Sequence, residues 1–340
     1  MAVRVRHRVA IAALMSILSI GALALGGSAA AAARDHLRVD VWVLDFDPLI
    51  EGVPLTTSRG WGDPFGLDAA YSADVAAAST GIIDIRLART TTVRDYPVKP
   101  DGFRFTNATY GACLVDPSPT SCTGLIDYAA VLNTTFDPRL GTPCEAVRRG
   151  RVDEIWLWGG PFFGYLEYRI VDPSSLCAGV GRTFVVMGFS YERGEAEMLH
   201  DLGHRTEALV QGGIGLALWD RFDGQRARYG QDFACPDQPD AGHPEVDTSS
   251  THAGNVHFPP NAYCHYQYDR QHPVLSDADD WLSFPALTGR LTEVDAGTWG
   301  GTQQGFMLWW LGHLPRHRGT WNGVDTDWWT YVFPAHRGRS

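Results

Sequence analysis

The chain has 340 residues, among them twelve tryptophans, six cysteines and a single lysine, Lys99, and it carries a formal net charge of -11. An acidic chain repels the phosphate backbone, which argues against nucleic acid as a partner. Its acidity speaks for solubility and does not by itself imply metal binding.

The first eight residues carry Arg4, Arg6 and Arg8 and no acid, and an apolar run follows from Val9 to Leu25 that ends in Gly-Gly-Ser and five alanines. This positive, apolar, small-residue order reads as a cleavable export signal over residues 1–33, with no stable membrane span left after cleavage near Ala33. A twin-arginine pair is absent, so general secretion is the simpler route. Loss of three arginines and no acid takes the net charge from -11 to -14. Residues 34–340 are then expected to form a single secreted domain, with an α/β core over 34–210 and an irregular, aromatic-rich elaboration over 211–340.

An even cysteine count in an exported chain implies disulfides. Cys113 and Cys122, separated by the polar loop Asp116 to Ser121, are the natural first pair; Cys144, Cys177, Cys235 and Cys264 leave their pairing open. No CxxC pair occurs, which disfavours a cysteine zinc site.

Leu37 to Phe46 (LRVDVWVLDF) is β-branched and partly alternating, Asp63 to Ser79 starts with Asp-Pro and reads as a helix, and Gly81 to Ala88 is again strand-like. Val152 to Trp158 and Thr183 to Phe189 are short apolar runs ended by glycine or flanked by polar residues, as buried strands are. Glu192 to Val210 reads as a helix. This order predicts an α/β fold, a sheet with parallel central strands covered by helices, followed by an aromatic-rich, disulfide-bonded C-terminal half.

If those strands are parallel, their ends gather Asp45, Asp47, Trp158 to Pro161, Tyr191, Glu192 and Arg193 at one edge, where open α/β sheets bind ligands. Asp45 and Glu192 would be candidates for acid and base work, while Asp45 and Asp47 would equally suit a turn before Pro48.

On the helix after Tyr191, Glu197, His200, His204 and Glu207 follow one another at spacings of three, four and three and share one face. Two imidazoles one turn apart can grip one divalent ion. Met198, Leu199 and Leu202 fall on other faces, suited to packing on the sheet. The same polar spacing also suits a hydrogen-bonded network of the histidines with Glu197, Glu207 and Arg205.

His200-Asp-Leu-Gly-His204 resembles the HExxH helix of zincin metallopeptidases, in which both histidines bind zinc and the glutamate activates a water. The resemblance covers five residues, and Asp201 stands in the glutamate's place with a side chain one methylene shorter. It implies zinc as cofactor, a peptidase-like hydrolytic reaction, Asp201 or Glu197 as proton acceptor, and Glu207 orienting a histidine from outside. A third ligand is needed, and His257, ahead of Pro259 and Pro260 and flanked by His252 and His265, is the candidate. Zincin sheets carry an antiparallel edge, whereas the strand order here suggests parallel pairing. Gly203 lowers helix propensity by about 1 kcal/mol against alanine, which suggests that another segment approaches closely there.

The segment 297–330 holds six of the twelve tryptophans, in Gly297-Thr-Trp-Gly-Gly301, Leu308-Trp-Trp-Leu311, Trp321 and Asp327-Trp-Trp-Thr330. Exposed, they would stack on sugars and make the chain a carbohydrate-binding protein, or, with a carboxylate pair such as Asp45 and Glu192, a glycoside hydrolase acting on polysaccharide; adjacent tryptophans point in different directions, so core packing is the commoner use. Neither GxGxxG, GxxxxGK[ST] nor GxSxG is present.

Overall fold

A computed structural model describes residues 36–224, 251–262 and 264–334. The expected export signal and Cys235 lie outside the described residues. The first strand, Leu37–Phe46, is the hub of a five-stranded sheet. It pairs in parallel with Ile83–Val93 on one side and with Glu154–Gly159 on the other. Glu154–Gly159 pairs in parallel with Phe184–Ser190, and that strand pairs antiparallel with the edge strand Tyr168–Val171. The expected parallel centre is therefore present, and so is an antiparallel edge that four residues, two of them polar or charged, did not announce.

Alternation along the first strand divides the core in two. Val39, Val41 and Val43 join one buried cluster with Tyr71 and Val75 of the helix Pro64–Ala78, Leu199, Leu202 and Val210 of the helix Glu195–Ile214, and Trp219, Trp310 and Trp328. Trp42, Leu44 and Phe46 join the other, with Tyr110, Val131, Leu132, Ala146 and Val147. The helix Pro64–Ala78 begins where Asp63 accepts a hydrogen bond from the Phe65 amide at 3.2 Å and Pro64 occupies the first turn, as its sequence anticipates.

Cys113 is bonded to Cys122, as expected from their proximity, and Cys144 to Cys177. Closing the 33-residue separation of the second pair contributes about 3–4 kcal/mol in the chain-entropy picture. Cys264 is disulfide-bonded as well. These bonds are compatible with an extracellular protein, and no helix among the described residues is long and apolar enough to cross a membrane.

The tryptophans are mostly core. Trp42, Trp156, Trp158, Trp219, Trp281, Trp299, Trp310, Trp328 and Trp329 are all buried, whereas Trp321 reaches 36 % exposure. The pair Trp309-Trp310 lies on the helix Gln303–Gly312, where neighbours diverge by about 100° and Trp310 turns inward to donate to the Gly254 carbonyl at 2.8 Å.

Candidate metal centre

His200 and His204 lie one turn apart on Glu195–Ile214, and His257 faces them from a tight loop in which Asn255 and Phe258 form an antiparallel bridge. One ring nitrogen from each of the three falls within 4.8 Å of the others. The His204 and His257 Nε2 atoms are 3.0 Å apart. Two nitrogens on one tetrahedral zinc sit about 3.3 Å apart, so a small adjustment turns this contact into shared coordination.

Glu207 gives the cluster its order. Its Oε2 lies 2.9 Å from His204 Nδ1, and its Oε1 accepts from the Val256 amide at 3.2 Å. When Nδ1 donates its proton to this carboxylate, Nε2 is left as a lone pair facing His257. A single side chain thereby sets the tautomer of one candidate ligand and anchors the backbone beside another, as carboxylates behind metal-bound histidines do. The His257 loop is further tied by Asn255 Oδ1, which accepts from the His257 and Phe258 amides at 3.1 Å each.

His200 Nδ1 is buried with no hydrogen-bond partner among the described residues. Burial above all, then the neighbouring His204 and His257 and the Arg193 cation, lowers the His200 pKa to about 3. The ring is therefore held neutral, the form that ligates metals. A folded pKa below the unfolded value of about 6.5 means that the unfolded chain binds the extra proton, so this contribution to stability is present above pH 6.5 and is lost as pH falls toward 3. In chelator, wild type is accordingly expected to lose about 2–3 kcal/mol more than His200→Gln between pH 7 and pH 4.5, read by urea unfolding. Parallel pH dependences for the two proteins would contradict it.

Gly203 does admit a close neighbour, and it is the side chain of Val256: a Cβ at 203 would lie 2.6 Å from its Cγ2. Gly203→Ala is expected to cost about 1–3 kcal/mol and to push the His257 loop outward, weakening zinc uptake as measured by chelator competition.

Asp201 is buried, and desolvation with the charges of Glu167 and Glu197 raises its carboxyl pKa well above the usual range. Glu197 pairs with Arg193 at 3.1 Å. Arg205 is not in the histidine network: fully buried, it binds both Glu154 oxygens and the Val332 carbonyl.

The strand ends do gather Asp45, Trp158 and Tyr191. Tyr191 donates to Asp45 Oδ1 at 2.5 Å and stacks on Trp158 with centroids 5.8 Å apart. Burial raises the Asp45 pKa, and at 3 % exposure the carboxyl is closed to solvent. Asp47 braces the turn, accepting from the Thr56 amide and hydroxyl at 3.0 Å each and pairing with Arg94 at 2.8 Å. Glu192 is exposed next to Tyr191.

Three residues had not stood out. Asp68, from the helix Pro64–Ala78, is fully buried, accepts from Trp158 Nε1 at 2.9 Å and has its pKa pushed up by burial to about 7. Tyr266 places its hydroxyl 3.2 Å from His257 Nε2, on a backbone held at φ 63°. Glu167 Oε2 lies 3.9 Å from His204 Nε2 and opens on a cavity of about 440 Å³ that Tyr168, His204, Glu207, Ala208 and Gln211 also line. Adjacency to Cys264 and His265 was the available signal for Tyr266; Glu167 offered none.

No protein-family model matches this chain, and no curated protein or solved structure matches it either.

Proposed function

We propose that this chain is an exported metal-dependent hydrolase, with zinc held by His200, His204 and His257 and a peptide-like carbonyl compound as substrate. The observation that carries the reading is Glu207, which binds His204 Nδ1 and the Val256 amide at once and so prearranges two candidate ligands from different elements. Three imidazoles suit zinc, and His200 is held in the neutral form that ligates metals. A zinc ion there supplies Lewis acidity toward a carbonyl oxygen and lowers the pKa of a water.

The chain's own groups do the rest. Glu207 fixes the His204 tautomer, Tyr266 offers an O–H donor beside His257, and the adjoining cavity gives access from the His204 side. Asp201 is a poor proton acceptor, since burial pushes it toward the neutral form. A peptide substrate is favoured over a polysaccharide because four of the six C-terminal tryptophans, Trp299, Trp310, Trp328 and Trp329, are buried in the core.

Elemental analysis of the secreted protein is expected to find about one zinc per chain, lost in the His200→Ala, His204→Ala variant, with cleavage of fluorogenic peptides lost alongside. Metal-free wild type after zinc exposure would refute the proposal.

A further inference from the structure

Resting on the hydrolase reading above, we propose that Glu167, a residue of the sheet's edge, is the proton acceptor of the site, in place of the helix carboxylates. The edge strand puts it there. Its carbonyl accepts from the Gly188 amide at 3.1 Å, and a Cβ at 188 would strike the Leu166 carbonyl oxygen at 2.4 Å, so glycine at 188 lets the 166–167 segment lie flat on the neighbouring strand. The side chain then projects into the cavity at 51 % exposure, with Oε2 3.9 Å from His204 Nε2.

Among the described residues, the group able to hold a metal is His200, His204 and His257, and Glu167 is not a member of it. Exposed and lining the cavity beside His204, its carboxylate stands where it could accept a proton from a water that a cation held by the histidines would bind. Four other candidate carboxylates are less suited: Glu207 is bound to His204 Nδ1 and Val256, Glu197 to Arg193 and Asp45 to Tyr191, while Asp201 is buried.

The reaction balances as a hydrolysis. One proton of the water passes to Glu167 Oε2 as an oxygen lone pair forms the new bond to the carbonyl carbon and the C=O π pair moves onto the carbonyl oxygen, to return and re-form the C=O bond as the leaving group departs. The bond from that carbon to the leaving nitrogen or oxygen then breaks with its electron pair, and the proton returns from Glu167 to the leaving atom. Water and substrate give an acid and an amine or alcohol, with no oxidant or reductant.

The test uses full-length secreted protein loaded with cobalt(II), with Glu167→Gln and Glu167→Asp compared with wild type and folding checked by circular dichroism. A base that is not a ligand predicts the same visible band in all three at the low-pH end, and a pH midpoint of its change that moves by more than about one unit in Glu167→Gln. With zinc and either p-nitrophenyl acetate or a fluorogenic peptide mixture, kcat is expected to fall about 10²–10⁴-fold in Glu167→Gln, with KM within a few-fold and partial recovery in Glu167→Asp. A changed low-pH band makes Glu167 a ligand and overturns the proposal; an unmoved midpoint makes it a bystander and does the same. Should wild type hydrolyse neither probe while the midpoint still moves, the proton-acceptor role stands and the hydrolase reading falls. Unimpaired hydrolysis by Glu167→Gln leaves the hydrolase reading and removes Glu167 from it.

Discussion

Arg205→Met is expected to lower the free energy of unfolding by about 3–5 kcal/mol, because it leaves the Glu154 carboxylate buried without its cation. Arg205 and Glu154 are exposed by no more than 1 %, and their contact is bidentate: Nη1 donates to Oε2 at 2.9 Å and Nη2 to Oε1. The guanidinium also donates to the Val332 carbonyl from Nε at 3.0 Å and from Nη2 at 2.7 Å, and it lies 4.4 Å from the Phe333 ring centroid. One side chain therefore joins the histidine helix, a central strand and the last described segment. Domains of this kind are stable by only about 5–15 kcal/mol, so the single variant is expected to be partly unfolded near 37 °C.

A second substitution isolates the cause. With Glu154→Leu added to Arg205→Met, neither charge of the pair remains, and about 2 kcal/mol or more should return, while the orphaned Val332 carbonyl keeps the recovery incomplete. Urea unfolding followed by tryptophan fluorescence reads both. A loss under about 1 kcal/mol for Arg205→Met, or a double variant no better than the single one, would contradict this assignment.

Zinc at about a thousand times its dissociation constant is expected to stabilise wild type by about 4 kcal/mol and the His200→Ala, His204→Ala variant by nothing measurable. The ion would bind only where a helix and a distant loop are already folded together, since 53 residues separate His204 from His257. Binding energy then becomes folding energy, which thermal unfolding with and without zinc, in chelator-cleaned buffer, measures directly. Equal responses in both proteins would place any zinc effect elsewhere and remove the support for the proposed function.

Local sequence determined the elements of the core and the histidine helix. Asp63-Pro64 announces a capped helix start, the β-branched run Leu37–Phe46 announces an interior strand, and the three- and four-residue spacing of His200, His204 and Glu207 places them on one helical face, because these signals depend only on near neighbours and on helix and strand period. His257 was legible as a histidine beside two prolines, and the close approach at Gly203 as an unfavoured glycine in a helix.

Tertiary structure alone decided the rest, since it brings together residues whose separation in the chain carries no periodic signal. Arg205 turns away from the histidines to Glu154, 51 residues earlier; Glu207 reaches Val256, 49 residues later; and Tyr191 covers Asp45 across 146 residues. The edge strand Tyr168–Val171 is four residues long and mostly open on one side, so it needs little hydrophobic patterning, and Glu167 just before it reached the candidate centre unannounced. The divergence of adjacent tryptophans gave core packing as the expectation, and the packed cluster decided which indoles are buried, because burial is a property of that cluster.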